Sequence, residues 1–135
     1  MYNLGQTYRL GLDGTEKDYE KAFDYYLQSA KKGHKDAQFQ VGYAYDVGQG
    51  CKKNKKEATE WYEKAADQGH EVAMYNLGQT YRLGLDGIEK NDEKAFEYYL
   101  QSAKKGYKVA QLAVGYAYAA AEGCEQNCFS SPELT

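Results

Sequence analysis

Side chains able to do chemistry are few in this chain, and their spacing keeps them apart. It has three cysteines (Cys51, Cys124, Cys128) and two histidines (His34, His70). A zinc site needs about four converging ligands. Cys124 and Cys128 sit far along the chain from both histidines, so no metal site is expected. A cysteine nucleophile needs a neighbouring base to take its proton. His70 falls at the opposite end of a helix pair from Cys51, so no dyad forms. Glu57, Glu60 and Glu63 recur at i+3 along a helix face, as solvated charge with no partner across a cleft. Arg9 to Glu20 has the glycine and glutamate of a calcium loop, Gly14 at its sixth place and Glu20 at its twelfth. Its first and third places are Arg9 and Gly11, which offer no side-chain oxygen, and the same failure recurs at Arg82 and Gly84. The glycines lack the lysine and hydroxyl that complete a phosphate loop. The chain is read as non-catalytic, with no cofactor.

Charge narrows the partners. A net charge of −3 over 135 residues argues against a nucleic-acid surface, which needs a basic face. Lys52, Lys53, Lys55 and Lys56 form a basic run, but nearby Asp and Glu offset it and it reads as a solvated loop. No apolar run is long enough to span a membrane, and no charged start with an apolar core marks export. Cys51 and Cys124 hold the same repeat position, two repeats apart and too far to bridge. Reduced thiols and a cytoplasmic setting are the expectation.

The elements that carry these residues are clearest in Ala37–Gly69. Ala37, Val41, Ala44, Tyr45 and Gly48 fall on one helical face, as do Ala58, Trp61, Tyr62, Ala65 and Ala66 in a second helix. Gly48, Gln49 and Gly50 break the pattern between them. Asn54 with Glu57 three residues on has the form of a capping box, and Gly69 suits the left-handed turn past a helix end.

A single pair of this size cannot bury its own apolar face, so pairs must stack. Gly5, Gly42, Gly78 and Gly115 recur at steps of 37, 36 and 37, each followed three residues later by a tyrosine. Gly33, Gly69 and Gly106 keep the same step. Repeats one and three hold one residue more than repeat two, placed in the loop LGLDG against VGQG. A second period is superimposed: residues 1–51 recur at 74–124, with MYNLGQTYRLGLDG unchanged. Tyrosine dominates the aromatics, 15 against four Phe and one Trp, so hydroxyls must reach water or a partner at the edge of each packing layer.

The spaced pattern at Ala37, Val41, Gly42, Tyr45, Gly48, Gly50, Ala58, Trp61, Tyr62, Ala65, Ala66 and Gly69 resembles the Sel-1-like repeat, a relative of the tetratricopeptide repeat. It recurs around Ala73–Gly106 and covers roughly residues 1–121. The resemblance implies an all-α solenoid of antiparallel helix pairs, about three and a half repeats: 1–33, 34–69, 70–106, and a first helix alone over 107–123. The first repeat is short at its start, since Met1 aligns with Met74 inside the array. Residues 124–135 are expected to lack fixed structure.

In such solenoids the first helix of each repeat lines the concave side. Its positions outside the core are Tyr2, Asn3, Gln6 and Arg9; Phe39, Gln40, Tyr43 and Asp46; Tyr75, Asn76, Gln79 and Arg82; then Leu112 and Tyr116. This mixture gives contact area and hydrogen bonds, as peptide-binding surfaces do. The function expected is an interaction scaffold for a protein or peptide. Two alternatives follow from the resemblance: a regulatory stretch of a larger, kinase-fused protein, and a β-lactam hydrolase of the cysteine-rich kind. The second ranks last, because the chain lacks regular cysteine pairs. Without polar capping helices, both ends should expose apolar surface and favour self-association.

Overall fold

The computed structural model describes residues 2–12, 14 and 16–125, with only the backbone of 121–125. The described residues form helices and no strands: α1 (Tyr2–Leu10), α2 (Tyr19–Lys31), α3 (Lys35–Val47), α4 (Lys55–Asp67), α5 (Glu71–Leu83), α6 (Asp92–Lys104) and α7 (Lys108–Glu125). Each helix packs on its neighbours in sequence, as a linear stack requires.

The same local chemistry starts each second helix. Asp18, Asn54 and Asn91 take extended backbone and accept the amide of the residue three on, at 3.1, 3.1 and 3.0 Å, which satisfies one of the free donors of a helix start. The amides of these cap residues in turn donate back to the Tyr8, Tyr45 and Tyr81 carbonyls at 2.9, 2.8 and 2.8 Å. Asn54 therefore caps as read, but its own amide is held by the end of α3. Each hairpin is closed at the same two points.

Helices α3 and α5 are capped by histidine, a role the sequence reading missed. Nδ1 of His34 accepts the Ala37 amide and Nδ1 of His70 accepts the Ala73 amide, both at 3.2 Å. Gly48 caps α3 in a left-handed conformation and is exposed, so it ends the apolar face and does not extend it. The last helix runs further than expected. Asp46 and Val47 of α3 correspond to Ala119 and Ala120 in α7, and without a glycine break Cys124 and Glu125 remain helical. Residues 126–135, the rest of the expected unstructured tail, lie outside the described residues.

The core forms between hairpins. One cluster joins Ala22, Tyr26 and Ala30 of α2 to Ala37 and Val41 of α3. The next joins Ala58, Tyr62, Ala65 and Ala66 of α4 to Ala73, Met74 and Leu77 of α5. A third joins Ala95 and Tyr99 of α6 to Val114 of α7. Each trailing helix thus buries its alanines against the next leading helix, and a fully buried residue such as Leu77 contributes about 1.5–3 kcal/mol.

Candidate ligand-binding face

The hairpins themselves are locked by a glycine and a tyrosine. A Cβ placed on Gly5, Gly42 or Gly78 would lie 2.6, 2.7 or 2.7 Å from the ring of Tyr26, Tyr62 or Tyr99. Only glycine lets the trailing helix bring its ring against the leading helix. The ring then runs under the leading helix, and its hydroxyl emerges among the leading-helix positions expected to face a partner, a ladder that repeats from hairpin to hairpin.

What meets each hydroxyl comes from that ladder. In the first repeat the Tyr26 hydroxyl donates to Gln6 Oε1, and Arg9 Nε donates to Tyr26 Oη at 2.9 Å and to Gln6 Oε1 at 3.2 Å. The third repeat repeats this arrangement: Tyr99 donates to Gln79, and Arg82 Nε donates to Tyr99 Oη at 3.1 Å and to Gln79 at 3.3 Å. In the second repeat an acid takes the place of the arginine. Tyr62 donates to Asp46 Oδ2 at 3.0 Å, and Lys55 of α4 pairs with Asp46 Oδ1. Lys55 is thus partly buried in an ion pair, which corrects its reading as part of a solvated run.

Burial pushes all three phenols up, and their neighbours differ in sign. Arg9 and Arg82 oppose the rise at Tyr26 and Tyr99, whereas Asp46 adds to it at Tyr62. All three remain protonated donors at neutral pH. The sequence signal for them was present in the distance of each tyrosine from its glycine.

Other ladder residues take two distinct roles. Tyr2, Phe39 and Tyr75, expected at open positions, are half-buried wedges. Tyr2 stacks on His34 with ring centroids 4.7 Å apart, Phe39 stacks on His70 at 4.6 Å, and Tyr75 meets Tyr107 edge-on at 5.6 Å. These contacts tie each repeat to the next. Gln40 and Asn76 are half-buried, and Asn3 and Arg82 are exposed. Tyr43 and Tyr116 are 39% and 73% exposed, and Leu112 is 62%. A crevice of about 10 Å³, room for no more than about one water molecule, lies between the first two hairpins and is lined by Arg9, Phe23, Gln40, Ala44 and Gln49 among others. That is smaller than the roughly 300–1,000 Å³ of small-molecule sites. Among the described residues no group of three His, Cys, Asp or Glu is placed to hold a metal, and no helix is long and apolar enough to cross a membrane.

Stacked antiparallel pairs with core shared between neighbours define an α-solenoid repeat protein. The model of the Sel1 repeat matches residues 1–34, 35–70, 72–107 and 108–129, and the chain belongs to that family. The fold is similar to that of a Sel1 repeat protein from Oxalobacter formigenes, with 36% identity, a TM-score of 0.83, and 90% of this chain and 49% of that one covered. It is similar also to c5321, a protective antigen present in uropathogenic Escherichia coli strains that displays an SLR fold: 34% identity, TM-score 0.83, with 90% and 25% covered. Helicobacter pylori cysteine rich protein B shares the fold at 22% identity, TM-score 0.67, with 81% and 83% covered. The chain thus spans about half the length of the first of these and a quarter of the second. No curated protein matches the chain.

Proposed function

We propose that the chain is a non-catalytic scaffold that binds an extended peptide or protein segment along the face shared by α1, α3, α5 and α7. The observation that carries this reading is the paired fixing of ladder side chains. Gln6 with Arg9, and Gln79 with Arg82, are held by buried tyrosine hydroxyls on the neighbouring helix. A long polar side chain held in this way loses less conformational freedom on binding, which lowers the cost of a polar interface. Between these fixed points, exposed Asn3, Tyr43 and Tyr116 offer hydrogen bonds and aromatic area of the kind enriched at contact sites.

A random peptide display library panned against the chain tests this. Enriched peptides should bind the wild type and lose at least about tenfold in affinity to a Tyr43→Ala/Asn3→Ala double variant. Glu60→Ala, on the exposed side of α4, should leave them unaffected. Peptides that respond to Glu60 and ignore Tyr43 and Asn3 would move binding off this face.

A further inference from the structure

Arginine is used at one repeat position only. Of the 17 basic residues in the chain two are arginine, Arg9 and Arg82, and they hold equivalent places in repeats one and three. Everywhere else, on trailing helices and on bends alike, the basic residue is lysine. A cation in the last turn of a helix is favoured by the helix dipole, but lysine serves that purpose equally well. What lysine lacks is a planar fork of five donors. The position therefore selects the shape of the guanidinium and not charge alone.

Both forks are held at their inner edge. Nε of each donates to a buried phenol and to a glutamine of its own helix, which fixes the plane of the group. Arg9 also uses one terminal nitrogen on Gln6, at 3.1 Å. The terminal nitrogens of Arg82 have no hydrogen-bond partner among the described residues. Among the same residues neither guanidinium forms an ion pair. Arg82 is exposed and Arg9 half-buried, so the edge that matches the two oxygens of a carboxylate remains open to a ligand.

The middle repeat leaves these two cations unopposed. Asp46 stands where Arg9 and Arg82 stand, but Lys55 pairs with it, and the place is neutral overall. The other acids of α3 and α5, Asp36 and Glu71, lie in the first turn, at the far end of the helix from the last turn that carries arginine. With a net charge of −3 the molecule as a whole repels an acidic ligand, whereas this row of last turns attracts one. We propose that each guanidinium seats one carboxylate side chain of the bound segment, so that the partner is an acidic peptide and the chain offers the same seat twice. The assignment rests on the ladder being the contact face, and it adds what that face recognises.

Panning of the full chain against a random peptide library, followed by binding of synthetic copies of the enriched peptides, tests the proposal. The enriched peptides should contain more Asp and Glu than the unselected library. Exchanging those acids for Asn and Gln should raise the dissociation constant at least about tenfold. Arg9→Gln/Arg82→Gln should do the same on the protein side, and the two changes should be strongly non-additive in a double-mutant cycle. Arg9→Lys/Arg82→Lys keeps the charge and loses the fork, so it should still weaken binding at least about fivefold. Lys52→Gln/Lys53→Gln, on the basic bend, should leave binding unchanged. Acidic peptides that tolerate either arginine exchange, or that depend on the bend lysines instead, overturn the proposal. Peptides without an excess of acids that still require Tyr43 and Asn3 overturn it as well, and leave the ladder standing as the contact face. A library that yields no binder, or only binders indifferent to Tyr43 and Asn3, removes the face and the seats together.

Discussion

The imidazole of His70 lies flat against the phenyl ring of Phe39, with centroids 4.6 Å apart and planes 15° from parallel. The same imidazole caps α5 through Nδ1, and its Nε2 lies 3.4 Å from Asp36. One neutral ring therefore joins two repeats and starts a helix. Burial holds its pKa below the usual histidine value, and Asp36 and Glu71 only partly offset this.

A pH dependence follows, and its sign is fixed. Because the folded state binds the His70 proton less readily than the unfolded chain, stability is present above the ordinary histidine pKa of about 6.5 and falls as pH drops below it. Protonation also turns Nδ1 from acceptor to donor, which costs the cap about 1 kcal/mol. Urea unfolding at neutral and mildly acidic pH should show this loss in the wild type. His70→Asn keeps a capping oxygen that does not titrate in this range, so it should lose less stability on acidification; an identical loss would mean that His70 is not the group responsible.

The glycine seats predict an asymmetric response to alanine. Gly78→Ala places a methyl 2.7 Å from the Tyr99 ring, and the ring cannot retreat without leaving the core, so the substitution should cost about 1–3 kcal/mol. Gly42→Ala meets Tyr62 in the same way and should behave alike. Chemical denaturation of each variant measures the cost. Values below those of an ordinary exposed substitution would show that the hairpins are not set by this contact.

The second repeat should be more sensitive to loss of its acid than of its phenol. Tyr62→Phe removes one donor and leaves Asp46 paired with Lys55, at a cost of about 1 kcal/mol. Asp46→Ala strands the buried Tyr62 hydroxyl and leaves Lys55 unpaired, which should cost about 2–3 kcal/mol. A double-mutant cycle over the two positions should give a coupling of at least about 0.5 kcal/mol. Additive effects would mean that the hydroxyl and the acid do not act together.

Ultraviolet titration offers a test of burial. Burial and then Asp46 push the Tyr62 phenol up, and burial with Glu63 pushes Tyr98 up to about 12. Tyr62 should ionise only when the chain unfolds, so Tyr62→Phe should reduce the absorbance step that coincides with alkaline unfolding. A smaller amplitude before unfolding, with that step unchanged, would contradict a buried phenol.

Much of this architecture was legible in the sequence because it rests on small residues at fixed steps. Ala37, Val41, Ala58 and Tyr62 fall on helical faces with nothing to compete for them, and all are buried. Capping by Asn54 could be read for the same local reason. The partners of the ladder could not be. Whether Arg9 projects freely or is held by Tyr26, and whether Lys55 is solvated or paired with Asp46, depends on how two helices face each other. The histidine caps were missed for a related reason. A turn histidine carries no capping signature comparable to that of Asn or Asp, and its stacking on Phe39 joins residues of different repeats.

The ring seat also determines where the chain can change in length. Tyrosine follows its glycine by 21 residues in the first and third hairpins and by 20 in the second, yet the ring meets the leading helix at the same distance to within 0.1 Å. The bends at 48–54 and 84–91 absorb that difference as slack, while alignment is held several turns away. These bends are therefore natural splice points, where a grafted epitope or an added recognition loop could be carried on the rim without shifting the hairpin beneath it.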